Sequence, residues 1–168
     1  MKQIFRAFFF GMLFITISCT NTENGFFGSG NGSGSLSGFS GSGGADERLV
    51  AKFQSEIGDR VFFDVDQSTL NSDGMTVLDS QAEWLISNRD YKLVVEGHAD
   101  ERGTREYNLA LGARRANSVK EYLISLGVSG ERLQTVTYGK ERPIKICSAE
   151  RCYSENRRAV SVLNNLGY

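Results

Sequence analysis

The sequence predicts an α+β domain, built as a two-layer βαβαββ sandwich with helices packed on one face of a four-stranded mixed sheet. Short apolar segments typical of strands alternate with longer segments of helical periodicity over residues 45–168. A segment of this length can build one hydrophobic core. The helical segments are too few to cover both faces of a sheet, and this favours a sheet that is covered on one side only.

The first half of the domain contains three predicted elements. Residues 45–57 carry apolar side chains at helical spacing, which predicts a short helix. The apolar residues 61–65 predict a strand, and the amphipathic segment 70–87 predicts a second helix. Asn71 or Ser72 can cap this helix, because either side chain can accept a hydrogen bond from a free backbone N–H group.

The second half begins with a predicted strand at residues 92–96. A long helix follows from Thr104, which can cap it, to about Leu126, and Gly127 ends it. The remaining segments are predicted strands at 133–138 and 159–163, and between them a long loop at 139–156 that holds the only proline. Strands that alternate with helices in this order predict βαβ crossovers.

The N-terminus has the pattern of a lipoprotein signal peptide over residues 1–18. A positively charged start precedes an apolar run that is shorter than the ~20 residues needed to span a bilayer. The end of this segment, Thr16-Ile17-Ser18-Cys19, resembles a bacterial lipobox with Thr16 in place of the usual leucine. Cleavage before Cys19 would allow acylation of this cysteine and anchoring in outer-membrane lipid. Ordinary signal cleavage that leaves a free Cys19 is the alternative.

Residues 19–44 are predicted to form the lipidated cysteine and a flexible tether. Glycine and serine dominate the segment, and such a chain cannot pack a core. A coil of about 25 residues has a typical reach of about 25–30 Å. We therefore expect a folded domain at 45–168 that can move away from a lipid surface and reach a binding partner within the length of the tether.

Charge and cysteine content exclude several classes of function. The formal net charge is −1, which gives no electrostatic case for nucleic acid binding. Cys147 and Cys152 could form a small disulfide ring if the chain is exported, and two free thiols are the alternative. These two cysteines and the distant His98 do not make a metal site, so we expect neither a metal nor another cofactor.

Two predicted strands end in polar residues that are candidates for a site. Asp66 follows the first strand, and the run Gly97–Gly103 follows the second. Ligands of open sheets with βα connections tend to bind beyond the carboxyl ends of strands. If the two strands are neighbours, Asp66 and Asp100 lie on the same rim. The next helix begins near Thr104, and its free N–H groups would attract a carboxylate there.

The charged side chains at this rim suit a small zwitterion. Arg102 and Arg115 can bind a carboxylate, and Asp66 and Asp100 can bind an ammonium group. Leu111 lies one helical turn before Arg115 and can cover an aliphatic stem. A ligand with both charges on one short frame, such as an amino acid centre, would fit. The alternative is a structural ion-pair network that caps the helix.

Catalysis has little support in the sequence. His98 is the only histidine, which excludes a histidine-based triad, and a structural role at the strand end is the simpler interpretation. A hydrolase with two carboxylates could be built from the acids around Asp64 and Asp100, but the sequence offers no aromatic platform for a sugar. Trp84 belongs to an apolar helix face. We therefore expect no catalytic residue and no enzyme.

Several motifs together resemble the OmpA C-terminal-like family, and within it the lipoproteins that associate with peptidoglycan. The residues that carry this resemblance are Phe63-Asp64-Val65-Asp66, the run from Gly97 to Tyr107, Asn108-Leu109-Ala110-Leu111-Gly112, Arg114-Arg115-Ala116-Asn117, Tyr138-Gly139-Lys140-Glu141-Arg142-Pro143 and Asn156-Arg157-Arg158-Ala159-Val160. They occur in the family's order over residues 61–163, and the family's lipoproteins also carry a lipobox and a tether.

The resemblance implies non-covalent binding of peptidoglycan through meso-diaminopimelate of the peptide stem. The family's key acid and key arginine correspond to Asp100 and Arg115, and further contacts correspond to Asp66, Arg102 and Leu111. It also implies a lipid-anchored head at the outer membrane that faces the periplasm. The implied partners are Tol system proteins, especially a periplasmic TolB-like propeller, and the implied role is in envelope integrity and cell division.

Three features depart from the family pattern. Ala99 replaces a usual threonine, Val65 replaces a common phenylalanine, and the pair Cys147 and Cys152 is not a usual feature. A lipoprotein that binds only other envelope proteins remains an alternative, and it would not bind the cell wall.

Overall fold

A four-stranded mixed sheet forms the centre of the fold. The computed structural model describes residues 47–165. The predicted signal peptide 1–18, Cys19 and the tether 19–44 lie outside the described residues. The strands are β1 (Arg60–Phe62), β2 (Tyr91–His98), β3 (Leu133–Gly139) and β4 (Arg158–Asn165), and their order in the sheet is β1-β4-β2-β3. The α+β class and the mixed sheet predicted from the sequence are confirmed.

The helices follow the predicted order with one addition. They are α1 (Glu47–Lys52), continued by a π-helical turn (Phe53–Gly58), α2 (Ser72–Ser87), α3 (Arg105–Ser125) and α4 (Glu150–Asn156), with a short 3-10 turn (Gly130–Arg132) before β3. The addition is α4, which lies inside the segment predicted as a loop. Its apolar pattern is too short to reveal a helix in the sequence. Among residues 47–165, none of the helices has the length and apolar character to cross a bilayer.

The first two strands along the chain are not neighbours in the sheet. The C-terminal strand β4 lies between β1 and β2 and pairs antiparallel with both. Because β1 and β2 run in the same direction, their carboxyl ends still meet one edge of the sheet. The common rim therefore survives the change in strand order.

One face of the sheet is covered by α2 and α3, and the core lies in this layer. Its fully buried members include Leu78 and Leu85 of α2, Leu93 of β2, and Val119 and Leu123 of α3. Burial alternates along β2, with the residues of one parity inside and those of the other parity partly exposed. This alternation is expected for a two-layer sandwich.

Helix α3 lies directly against the end of β2. A Cβ atom at Gly97 would lie 1.9 Å from the carbonyl oxygen of Gly112, so no larger residue fits at this crossing. Thr104 caps α3 as predicted, since its hydroxyl accepts a hydrogen bond from the backbone N–H of Tyr107 at 3.2 Å. Gly127, with φ +98°, ends the helix in the left-handed region. The close crossing and the cap place the first turns of α3 at the rim.

Candidate functional site

A cavity of about 260 Å³ opens at the rim where β1 and β2 end. Its lining residues are Val65, Asp66, Asp100, Arg102, Gly103, Tyr107, Asn108, Leu111 and Arg115. The structure thus brings together all five side chains that the sequence analysis singled out for binding. The set combines two carboxylates, two guanidinium groups and an apolar wall.

Arg115 forms the floor of this cavity and holds its walls together. The residue is fully buried. Its Nε donates to the carbonyl of Gln67 at 2.8 Å, Nη1 to that of His98 at 2.8 Å, and Nη2 to that of Asp64 at 3.1 Å. Burial, reinforced by the nearby charge of Arg157, lowers the pKa of Arg115 to about 10, so the side chain remains charged at neutral pH. These bonds use three of the five N–H donors of the guanidinium.

Asp100 is a buried carboxylate between two arginines. Its Oδ1 accepts from the backbone N–H of Arg102 at 3.1 Å, and its Oδ2 accepts from Arg102 Nη2 at 2.6 Å and from Arg157 Nη1 at 3.2 Å. Burial alone would raise the pKa of Asp100, but the hydrogen bonds from Arg102 and Arg157 hold it below its usual value. Asp100 is therefore a fixed negative charge at neutral pH.

Arg157 lies behind Asp100 and is a residue that the sequence analysis did not single out for the site. It is buried, and besides Asp100 it binds the carbonyl of Phe63 through Nε at 3.0 Å and Glu150 Oε1 through Nη2 at 2.5 Å. It thereby links the end of β1, the loop after β2 and helix α4. The signal in the sequence is the motif Asn156-Arg157-Arg158-Ala159-Val160 of the family resemblance, and both of its arginines are buried in the structure.

Asp66 is the more accessible of the two cavity acids. It is exposed and adopts φ +60°, a left-handed backbone conformation that is uncommon outside glycine and that aspartate tolerates better than most residues. One carboxylate oxygen accepts a hydrogen bond from the hydroxyl of Tyr107, and this bond raises the pKa of Tyr107. The hydrogen bond directs the carboxylate towards the side of the cavity that α3 forms.

The apolar wall consists of Leu111 and Val65. Leu111 is buried, whereas half of the Val65 surface is exposed. Valine is smaller than the phenylalanine common in the family that the sequence resembles. Ala99 is buried, and its backbone N–H donates to the carbonyl of Gly139 at 2.8 Å, so the missing hydroxyl leaves this backbone contact in place.

The loop that carries Asp100 and Arg102 is held from two sides. Asn108, which is buried at the start of α3, donates through Nδ2 to the carbonyl of Arg102 at 2.7 Å. Lys140 donates through Nζ to the carbonyl of Gly103 at 2.7 Å. These bonds keep the loop in place before any ligand arrives, which lowers the entropy lost on binding.

His98 is buried beside the site, not within it. Its ring stacks on Tyr138 with 5.5 Å between the ring centroids. Burial, followed by the charges of Arg158 and Arg142, lowers the pKa of His98 to about 4, so the imidazole is neutral at neutral pH. His98 contributes to the cavity only through its backbone carbonyl, which accepts the hydrogen bond from Arg115.

A disulfide joins Cys147, which precedes α4, to Cys152 within that helix. Within residues 47–165, no group of three or more histidine, cysteine, aspartate or glutamate side chains could hold a metal ion.

Comparison with known proteins places these features in a family. Residues 62–162 match the model of the OmpA family. The peptidoglycan-associated lipoprotein of Mesorhizobium japonicum is 52% identical over 130 residues, which cover 77% of each chain. The protein of the same name from Rhizobium meliloti is 50% identical over 127 residues, which cover 76% of this chain and 72% of the relative.

Solved structures show the same fold. The crystal structure of the peptidoglycan-associated lipoprotein from Burkholderia pseudomallei superposes with a TM-score of 0.63 at 35% identity, over 66% of this chain and 95% of that one. The C-terminal domain of MotB from Helicobacter pylori superposes with a TM-score of 0.57 at 24% identity, over 62% of this chain and 83% of that one. The second similarity concerns the fold alone.

Proposed function

The chain belongs to the OmpA family, among its peptidoglycan-associated lipoproteins, and on this premise we propose that the rim cavity binds the peptide stem of peptidoglycan without altering it. The observation that carries the proposal is the convergence of Asp66, Asp100, Arg102, Leu111 and Arg115 on one cavity. Proteins of this family group are not enzymes, so the carboxylates around the rim are interpreted as binding groups. A two-carboxylate hydrolase is not pursued further.

The ligand group that fits this cavity is the side-chain amino acid centre of meso-diaminopimelate. Its carboxylate can bind the guanidinium of Arg102 above the buried positive charge of Arg115, and guanidinium–carboxylate pairs are strong and directional. Its ammonium group can bind Asp66 and Asp100. The methylene stem can lie against Leu111. Both charges of the ligand are needed, because its carboxylate binds the arginine side of the cavity and its ammonium group binds the aspartate side.

The structural ion-pair network considered from the sequence is compatible with this proposal. Asp100, Arg102, Arg157 and Glu150 do form such a network, with Arg102 Nη2 also 3.9 Å from Glu150 Oε2. The network keeps the buried charges paired, and a buried charge without a partner would be strongly destabilising. The same pairing fixes the orientation of the cavity groups, as a preorganised binding site requires.

We further propose that the head is anchored by acylated Cys19 to the outer membrane and faces the periplasm. In this position it would tether the membrane to the cell wall. Association with Tol system proteins, especially a TolB-like propeller, would connect it to envelope integrity and cell division. Family membership and the lipobox-like residues before Cys19 support this part of the proposal.

We expect the full-length protein in detergent to sediment with purified sacculi that contain meso-diaminopimelate. Free meso-diaminopimelate should release it, because the free amino acid carries the same zwitterionic centre. Cadaverine and pimelate at the same concentration are matched controls: cadaverine lacks both carboxylates, and pimelate lacks both amino groups. Protein that does not sediment, or that either control releases equally well, would contradict the proposal.

A further inference from the structure

Tyr153 of helix α4 contacts the loop that carries the cavity residues Asp100 and Arg102. The guanidinium carbon of Arg102 lies 4.6 Å from the centroid of the Tyr153 ring, within the range of a cation–π contact. The hydroxyl of Tyr153 donates to Glu101 Oε1 at 3.1 Å. Tyr153 does not line the cavity itself. It therefore contacts two consecutive residues of the loop that also carries Asp100.

Helix α4 is held firmly enough to act as a support. The disulfide between Cys147 and Cys152 closes a small ring across its first turn. At its other end, buried Asn156 accepts through Oδ1 from the backbone N–H groups of Ile144 at 2.9 Å and Lys145 at 3.1 Å, and donates through Nδ2 to the carbonyl of Lys145 at 2.8 Å. Both ends of α4 are thus tied to the preceding loop.

Arg102 needs such a support more than the other cavity arginine does. The Arg102 side chain is 45% exposed, whereas Arg115 is fully buried and bound to three carbonyls. An exposed arginine loses much rotational freedom when it binds a ligand, and this loss weakens binding. A fixed aromatic ring under one face of the guanidinium removes part of that freedom in advance and leaves the N–H edges available.

We propose that Tyr153 is a positioning residue for the cavity: its ring holds the guanidinium of Arg102 and its hydroxyl holds Glu101, so that Arg102 presents its N–H edge to the carboxylate of the ligand. This inference rests on the proposed function. The sequence predicted neither α4 nor a role for its disulfide. In this proposal both hold the loop that carries Asp100 and Arg102.

The test compares two substitutions at Tyr153 in the full-length protein, with meso-diaminopimelate and sacculi as the ligands. Tyr153→Phe keeps the ring and loses the hydrogen bond to Glu101, and we expect it to weaken binding by about threefold. Tyr153→Leu also loses the ring, and we expect about tenfold weaker binding. Tyr122 provides matched controls, because its hydroxyl donates to exposed Asp79 at 3.0 Å on α2, away from the cavity. Tyr122→Phe and Tyr122→Leu should leave the affinity unchanged.

A spectroscopic signature separates positioning from general stability. The ring current of an aromatic side chain shifts the NMR signals of groups stacked on it, so the side-chain signals of Arg102 should be shifted in the wild type and in Tyr153→Phe, and normal in Tyr153→Leu. Weaker binding by Tyr153→Leu together with this change would support the inference. If Tyr153→Leu does not fold, the affinity of Tyr153→Phe for the ligands, compared with that of the wild type, tests the inference.

Two results would overturn the inference. The first is unchanged affinity of Tyr153→Leu for the ligands or, if that variant does not fold, unchanged affinity of Tyr153→Phe. The second is weaker binding by Tyr153→Leu with the Arg102 signals where they are in the wild type, which would mean that Tyr153 acts only through stability. A wild type that fails to bind either ligand overturns the proposed function itself, and the role of Tyr153 with it.

Discussion

Replacement of Asp100 by asparagine is expected to weaken sacculus binding by on the order of 100-fold, because removing one partner of a buried charge pair typically costs about 2–5 kcal/mol of binding free energy. Asparagine has nearly the same shape but no charge, so the ammonium group of the ligand loses a partner. The arginines that now bind the Asp100 carboxylate would also lose the negative charge of their shared acceptor. The measurement is the fraction of protein that sediments with sacculi over a range of sacculus concentrations.

Asp64→Asn is the matched control for this experiment. Asp64 is an exposed acid at the same rim, and its backbone carbonyl, not its carboxylate, binds Arg115. The control should bind like the wild type. Circular dichroism should show a folded Asp100→Asn protein, since Arg157 keeps Glu150 as a partner. Equal sedimentation of Asp100→Asn and the wild type would exclude Asp100 from the site.

Replacement of Arg115 by methionine is expected to reduce the free energy of unfolding by about 3–5 kcal/mol, comparable with breaking a buried ion pair. Methionine can follow the aliphatic part of the arginine side chain, but it donates no hydrogen bond. The carbonyls of Gln67, His98 and Asp64 would each lose a charged donor. Urea denaturation followed by circular dichroism measures this change, and sacculus binding should be lost as well.

The neighbouring arginine offers a control on the same helix. Arg114 is exposed, and its guanidinium carbon lies 6.0 Å from the centroid of the Tyr107 ring. Arg114→Met should change the free energy of unfolding by no more than about 0.5 kcal/mol, as is usual for surface substitutions. If both variants were equally stable, the role of Arg115 in holding the rim segments together would be refuted.

The sequence was sufficient to predict the parts of the fold that depend on local patterns. Periodicity predicted α1, α2, α3 and the four strands, and Thr104 and Gly127 predicted where α3 begins and ends. The four-residue spacing of Leu111 and Arg115 placed both on the cavity. These features follow from helix geometry and capping chemistry, which are local properties.

The features that the sequence did not predict depend on contacts between distant segments. The position of β4 between β1 and β2 cannot be derived from the pattern of any single strand. Arg157 binds Asp100, which lies 57 residues earlier in the chain, and no local motif predicts this pair. Helix α4 has seven residues, too few for a clear periodicity, and the disulfide and Asn156 hold it in place.

Arg115 has a structural role that the sequence did not predict. From the sequence it was expected only to bind a carboxylate at the rim. In the structure it is buried beneath the rim and binds backbone carbonyls of the segments that form it. One side chain therefore links the stability of the domain to the shape of the cavity, which explains why we expect its loss to affect both.

The central claim is that one cavity holds a zwitterionic group of the peptide stem, and NMR titration tests it most directly. A stem peptide that ends in meso-diaminopimelate would be added to isotopically labelled protein. We expect the largest shift changes at Asp66, Asp100, Arg102, Leu111 and Arg115. The groove lined by Glu56, Ile57 and Trp84 is the reference surface on the described part of the chain, and its signals should stay constant. Shift changes in that groove, with the rim cavity unaffected, would contradict the claim.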